Sequence, residues 1–267
     1  MMDANLKQVE EALLASRGDL EALGRVVSQF MRSGTASAVL RGALSKCLED
    51  YGDNVVGSLG GDSFVLARNE YLTFYMKLLP PSEDLLHTAG TDRVTVFWPV
   101  GAVTIDSYAI DGAFDPEVFD PAARLVLLES RIADETALIQ RRGEARVYGF
   151  RSERPAMSVT VNLEPASSQV WMFDRKSLAA AFPTLSQNEY SSFIIFAKMA
   201  AAIGAPGAIP ILTDLCSHAS HAVRWAAVQS LARLNGDVAR QRLRLLADDP
   251  HPEVREGAKR VLARIDA

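Results

Sequence analysis

Cysteine and histidine are scarce in this chain, with two and four among 267 residues. The cysteines, Cys47 and Cys216, lie far apart in apolar helical patterns (LSKCLED and LTDLCSH), with no CxxC and no zinc spacing. Both are expected to be buried reduced thiols. Basic charge is not in excess either. Lys and Arg total 28 against 33 Asp and Glu, a net charge of −5, so the chain has no overall field for nucleic acid or anionic lipid. The opening MMDANLKQVEE lacks an apolar run, so no signal peptide is visible and a cytoplasmic location is expected. Long hydrophobic runs are missing with one exception. Residues 193–212 (FIIFAKMAAAIGAPGAIPIL) imitate a membrane span but carry Lys198 and the breakers Gly204, Pro206 and Gly207. Two buried helices and a turn are the expected reading. No GxSxG, P-loop or Rossmann glycine fingerprint occurs.

What is present divides into three regions. Residues 4–49 repeat apolar positions at three- and four-residue steps, through Leu13, Leu14, Leu20, Leu23, Val26, Val27, Phe30 and Met31. Gly18-Asp19 and Ser33-Gly34-Thr35 break the pattern, which predicts three short helices, the last over 36–48. From Asp62 short β-rich runs follow: SFVLAR, YLTFYMKLL, RVTVFWPV, AVTIDSYAI, RLVLLES, TALIQ, ARVYGF, MSVTVNL and QVWMF. Strands at this spacing predict a sandwich or small barrel. After about Leu185 the helical period returns and continues to the end.

The helical end contains an internal repeat. HAVRWAAVQSLARL and PEVREGAKRVLARI align with Arg224 and Arg255 equivalent, 31 residues apart, and with Val223, Ala227 and Leu231 on Val254, Ala258 and Leu262. A weaker copy pairs Ile203 with Leu234, Ala208 with Ala239 and Leu212 with Leu243. One helix–turn–helix unit cannot bury its own apolar stripe, so units stack. The polar turns SHASHAVR and DDPHPEVR, with their Val-Arg, Ala and Leu positions, resemble the HEAT repeats. That resemblance implies a binding scaffold, with Arg224 and Arg255 bonding turns of the stack. Ala227, Leu231, Ala258 and Leu262 are expected to be buried. Arg240, Arg244, Arg255 and Lys259 are the candidate partner-binding residues, although acidic residues interleave with them as on a solvated helical face.

The middle region, roughly residues 40–175, is similar to the cysteine-dioxygenase-type cupins. Two segments carry the similarity: LLHTAGTDRVTVFWPVGAVTIDSYAI and ARVYGFRSERPAMSVTVNLEPASSQVWMFD. The resemblance implies a jelly-roll barrel, and in that family three histidines hold one iron. His87 falls on the first ligand position, but Ala89 and Ala145 fall on the other two. Two methyl groups cannot ligate iron, so no metal and no cofactor is expected. On the following strand the family's Ser, His and Tyr correspond to Ser158, Thr160 and Asn162. His87, Ser158, Thr160 and Asn162 are therefore the candidate ligand-pocket residues. Their surroundings are expected either to fill with side chains or to hold a small, mostly apolar ligand. His218 and His221 stand three apart in a repeat turn and are expected to be solvated. Asp111, Asp115, Glu117 and Asp120 read as solvated loop charge.

The expected architecture is α+β: a helical prefix (1–50), a cupin-like jelly-roll β-barrel (51–184) and a C-terminal α-helical HEAT-like repeat stack (185–267). The expected function is a non-catalytic interaction or regulatory adaptor. Its repeats bind a protein partner, and its degenerate barrel gives a second contact surface or ligand pocket. The alternative is a cupin-type metal-dependent oxygenase or isomerase with an unusual metal site. Nucleic acid and membrane are not expected partners.

Overall fold

The computed structural model describes residues 4–39, 41–42, 63–164, 166–186 and 188–265. Cys47, the 51 boundary and most of the helix expected over 36–48 lie outside these residues. The chain divides into two compact units. The first is Met1–Phe114 with Pro121–Ala166 and Met172–Ala181; the second is Asp115–Asp120, Ser167–Trp171 and Phe182–Ala267.

The first unit opens with α1 (Ala4–Ala15) and α2 (Leu20–Arg32). Asp19 starts α2 by accepting from the amides of Glu21 and Ala22, which otherwise lack intrahelical partners. The strands that follow are β1 (Ser63–Arg68), β2 (Leu72–Leu79), β3 (Leu85–Thr88), β4 (Arg93–Trp98), β5 (Val103–Asp111), β6 (Arg124–Ile132), β7 (Leu138–Gln140), β8 (Arg146–Ser152), β9 (Ala156–Leu163), β10 (Gln169–Asp174) and β11 (Ala180–Leu185). They form two antiparallel sheets in the orders β1-β2-β9-β4-β7 and β11-β10-β3-β8-β5-β6, and the chain repeatedly crosses between sheets as in a jelly roll. Two strands have no counterpart in the periodicity. β3 has four residues, too few for alternation to show. β11 contains Pro183, which is tolerated because β11 is an edge strand.

Alternation along the first sheet separates two chemistries. Leu72, Phe74, Met76, Val94, Val96, Val159 and Val161 share one face and pack with Leu23, Val27 and Phe30 of α2. Phe30 meets Phe74 edge to face, ring centroids 5.2 Å apart. The opposite face looks toward the second sheet. Phe97 of β4 reaches Phe150 of β8 at 4.9 Å, within an apolar cluster that includes Leu79, Val103, Ile105 and Ala156.

The helices of the second unit are α3 (Asn188–Ala202), a short 3-10 turn (Pro206–Ala208), α4 (Ile209–Leu215), α5 (His221–Leu234), α6 (Gly236–Leu246) and α7 (Pro252–Ile265). Its core joins Ala197, Leu212, Ala227, Val228, Leu231, Leu243, Val254 and Ala258, with Leu262 partly buried beside them. The repeat pairs Ala208–Ala239 and Leu212–Leu243 are buried, but Ile203 is 76% exposed and does not share the environment of Leu234. The run expected as two buried helices is also only partly buried: Phe193, Ile195, Phe196 and Met199 of α3 are exposed. Among the described residues no helix is long and apolar enough to cross a membrane.

Candidate functional sites

The inner face of the first sheet reads as cross-strand rows. Thr73, Asn162, Arg93 and Gln140 make one; Tyr75, Thr160 and Thr95 the next; Lys77, Ser158 and Phe97 the third. All of the sequence candidates on β9 therefore lie on this face. Thr160 and Thr95 share a hydroxyl hydrogen bond of 3.0 Å, and Arg93 Nε donates to Gln140 Oε1 at 2.7 Å. His87 pairs with Tyr148 on the second sheet, and its Nδ1 lies 2.9 Å from the Thr88 carbonyl. Burial, then the Arg93 and Lys77 cations, push His87 down to about 4. The imidazole is therefore neutral at neutral pH, with Nδ1–H donated to Thr88 and Nε2 left as an acceptor. Burial also raises Glu83, against the pull of Lys77, Arg93 and Arg175. The side-chain amide nitrogen of Gln140 and the amide oxygen of Asn162 are buried without hydrogen-bond partners.

Around His87 this end of the barrel carries the charged side chains of Lys77, Glu83 and Arg93. Glu83 lies in the loop between β2 and β3, whereas Lys77, Arg93 and Gln140 carry no motif in the sequence, because each is a single polar residue in an apolar strand. Strand register alone would have found them, since Lys77 and Arg93 keep the same parity as the residues paired with β9. Ala89 is buried and Ala145 exposed. Among the described residues, no three metal-ligating side chains gather around His87.

The second unit holds a separate cluster. Arg224 Nη1 donates to the carbonyls of His218 and Ala219 at 2.8 and 2.9 Å, and Arg255 Nη1 donates to those of Asp249 and Pro250 at 2.8 and 3.1 Å. These carbonyls are 31 residues apart, so the repeat period appears as identical bonding. Arg224 also forks onto Asp249 at 2.8 and 2.6 Å, tying its own turn to the next. Burial works against the Asp249 carboxylate, but Arg224 and the His251 amide outweigh it and lower its pKa.

His221 is 8% exposed, which corrects the expectation of a solvated turn residue. It stacks on His251, itself 6% exposed, with ring centroids 3.7 Å apart and planes within 4°. His218 does not join them; it packs on Tyr190 and Phe193. Glu117 is likewise more than loop charge. It accepts from the Ser168 amide and hydroxyl and lies 3.7 Å from His221 Nδ1. Burial alone would raise Glu117, but the His221 and Ser168 contacts prevail and lower it to about 2.

Beside this cluster runs a groove of about 720 Å³, lined by Val118, Ile194, Trp225 and Val254 and by Lys198, Gln229, Glu253 and Arg260. A Cβ on Gly257 would stand 2.9 Å from the Trp225 indole, so glycine is what admits the ring. Of the partner-binding candidates, Arg244 and Lys259 are exposed, Arg240 and Arg255 half-buried, and none lines the groove.

Residues 194–263 match the family model for HEAT repeats. No curated protein matches the chain in sequence. Among solved structures, hydroquinone 1,2-dioxygenase from a Sphingomonas species is 14% identical over 41% of this chain and 70% of that one, with a TM-score of 0.26. A cupin-2 domain protein from Shewanella frigidimarina is 11% identical over 44% of this chain and 99% of its own, TM-score 0.24. A cupin domain protein from Bordetella pertussis is 14% identical over 41% and 100%, TM-score 0.23. No activity or ligand of these proteins passes to this chain. The architecture is an α+β jelly roll with flanking helices and a C-terminal helical repeat.

Proposed function

We propose that the chain is a non-catalytic interaction protein whose repeats hold a segment of a partner protein in the groove beside Trp225. The observation that carries this reading is the groove itself: an aromatic floor, apolar walls and a rim of mixed charge on a helical scaffold. A half-buried aromatic ring ringed by polar groups is the usual anatomy of a protein-binding anchor site. The test is a photo-crosslinking residue placed at Gln229, on the groove, or at Arg244, on the cationic face read from sequence. Gln229 should yield a discrete crosslinked partner that disappears with Trp225→Ala in a variant that keeps its helical ellipticity. A crosslink from Arg244 alone, or one from Gln229 unaffected by Trp225→Ala, defeats the proposal.

A second reading concerns the barrel. The cations Lys77 and Arg93, the neutral His87 and the unpartnered amide atoms of Gln140 and Asn162 favour a small anionic, hydrogen-bonding ligand. Buried polar atoms without partners are what such a ligand would satisfy. Thermal shifts with inorganic phosphate and with short dicarboxylates test it. A shift that Arg93→Met abolishes supports the reading, and no shift with any of these probes removes it.

A further inference from the structure

We infer that His221, His251 and Glu253 form a binding site for one divalent transition-metal ion. The three residues each offer a ligand atom, all within 4.8 Å of one another. They come from two successive repeats: His221 begins α5, His251 ends the turn before α7, and Glu253 lies in the first turn of α7.

Hydrogen bonding decides which nitrogens are free. His251 Nε2 lies 2.5 Å from the Glu117 carbonyl, an acceptor only, so this nitrogen carries the proton. His251 Nδ1 is then a bare lone pair, and it is buried with no hydrogen-bond partner. An orphaned acceptor in a residue 6% exposed needs a reason, and a metal ion supplies one. His221 Nδ1 faces the Ser168 hydroxyl at 3.1 Å and the Glu117 carboxylate at 3.7 Å, which leaves Nε2 available. Each ring thus has one nitrogen held by an oxygen acceptor and the other free. Metal-ligating histidines are held in this way, by a carbonyl or carboxylate on the far nitrogen that fixes tautomer and orientation.

Support extends one layer further. Asp249 Oδ1 accepts from the His251 amide at 2.8 Å, and Arg224 holds Asp249. The turn carrying His251 is therefore fixed before any ion arrives. Glu253 is exposed and, with His221, lines the groove, so an ion here would keep coordination positions open on that side. Two imidazoles and one carboxylate suit zinc, nickel, cobalt or iron(II), and not calcium or magnesium, which take oxygen. Parallel rings cannot aim both lone pairs at one point, so the stack splays when the ion binds. The site is separate from the barrel and from the ligand positions at which Ala89 and Ala145 stand. It revises the expectation of no metal for the repeats alone.

The test uses the full-length, tag-free chain, stripped with a chelator and titrated with Co2+ followed by visible absorption, then with Zn2+ in competition. One equivalent should saturate, with a d–d band that Zn2+ removes and a rise in melting temperature. Glu253→Gln, on an exposed side chain, should weaken binding by more than about tenfold, the scale on which even outer-shell partners act. His251→Gln should abolish it, and His218→Gln should leave it unchanged. If His251→Gln fails to fold, Glu253→Gln still decides. No saturable equivalent, binding unaltered in Glu253→Gln, or binding lost in His218→Gln each overturns the proposal.

Discussion

Replacing Arg224 by methionine tests whether the repeats are joined by a buried ion pair or merely decorated by one. The side chains of Arg224 and Asp249 are 11% and 3% exposed. Arg224 makes two bonds to the carboxylate, at 2.8 and 2.6 Å, and donates to two turn carbonyls. Methionine keeps much of the stem but leaves the Asp249 carboxylate with the His251 amide as its donor. Removing one member of a buried pair costs about 3–5 kcal/mol, because the charge left behind is neither solvated nor matched. An exposed pair would cost only about 0.2–1 kcal/mol. The measurement is urea denaturation followed by far-UV ellipticity, which reports mainly the helices of the second unit. Arg224→Met should lie in the higher range, and Arg224→Met with Asp249→Leu should recover part of the loss. Full recovery is not expected, because the carbonyls of His218 and Ala219 and the His251 amide also lose partners. A single-variant loss below about 1 kcal/mol, or a double variant no better than the single, refutes the reasoning.

Two further outcomes follow from the cores. His87 has a folded pKa of about 4 against an ordinary 6.5, so between these values the unfolded chain binds a proton that the folded chain refuses. Stability should fall as pH drops through that window, by at most about 3 kcal/mol, and His87→Gln should flatten the slope; equal slopes in variant and parent would show that His87 does not titrate there. Leu231 is fully buried in the repeat core, so Leu231→Ala should cost about 2–5 kcal/mol from lost transfer energy and the cavity left behind. An unchanged denaturation midpoint would place Leu231 outside the cooperative core.

The parts legible in the sequence are those that local periodicity encodes. The repeat shows because Ala227 and Ala258, one period apart, are both fully buried in the repeat core, and because Arg224 and Arg255 bond equivalent pairs of turn carbonyls one period apart. Nine strands show through alternation and turn residues, while β3 and β11 do not, for reasons of length and edge position. The barrel's inner face was legible only in part. Ser158, Thr160 and Asn162 came from a family resemblance, but Arg93 and Gln140 become visible only once register places them in the Asn162 row.

The histidine cluster illustrates why the rest was illegible. The visible pattern, His218 and His221 three apart, suggests a pair on one helix face, yet His218 precedes α5 and turns toward Tyr190 and Phe193. The partner of His221 is His251, 30 residues on and one short of the repeat period, so neither a short motif nor the repeat alignment joins them. Glu117, more than a hundred residues earlier, is brought to both rings by a loop segment of the second unit. The free nitrogens follow from which ring atom each acceptor occupies, and that is settled by the packing of α5, α7 and this segment. Sequence spacing reports neighbours along one element. Ligand geometry depends on neighbours between elements, so a site assembled from three of them leaves no local trace.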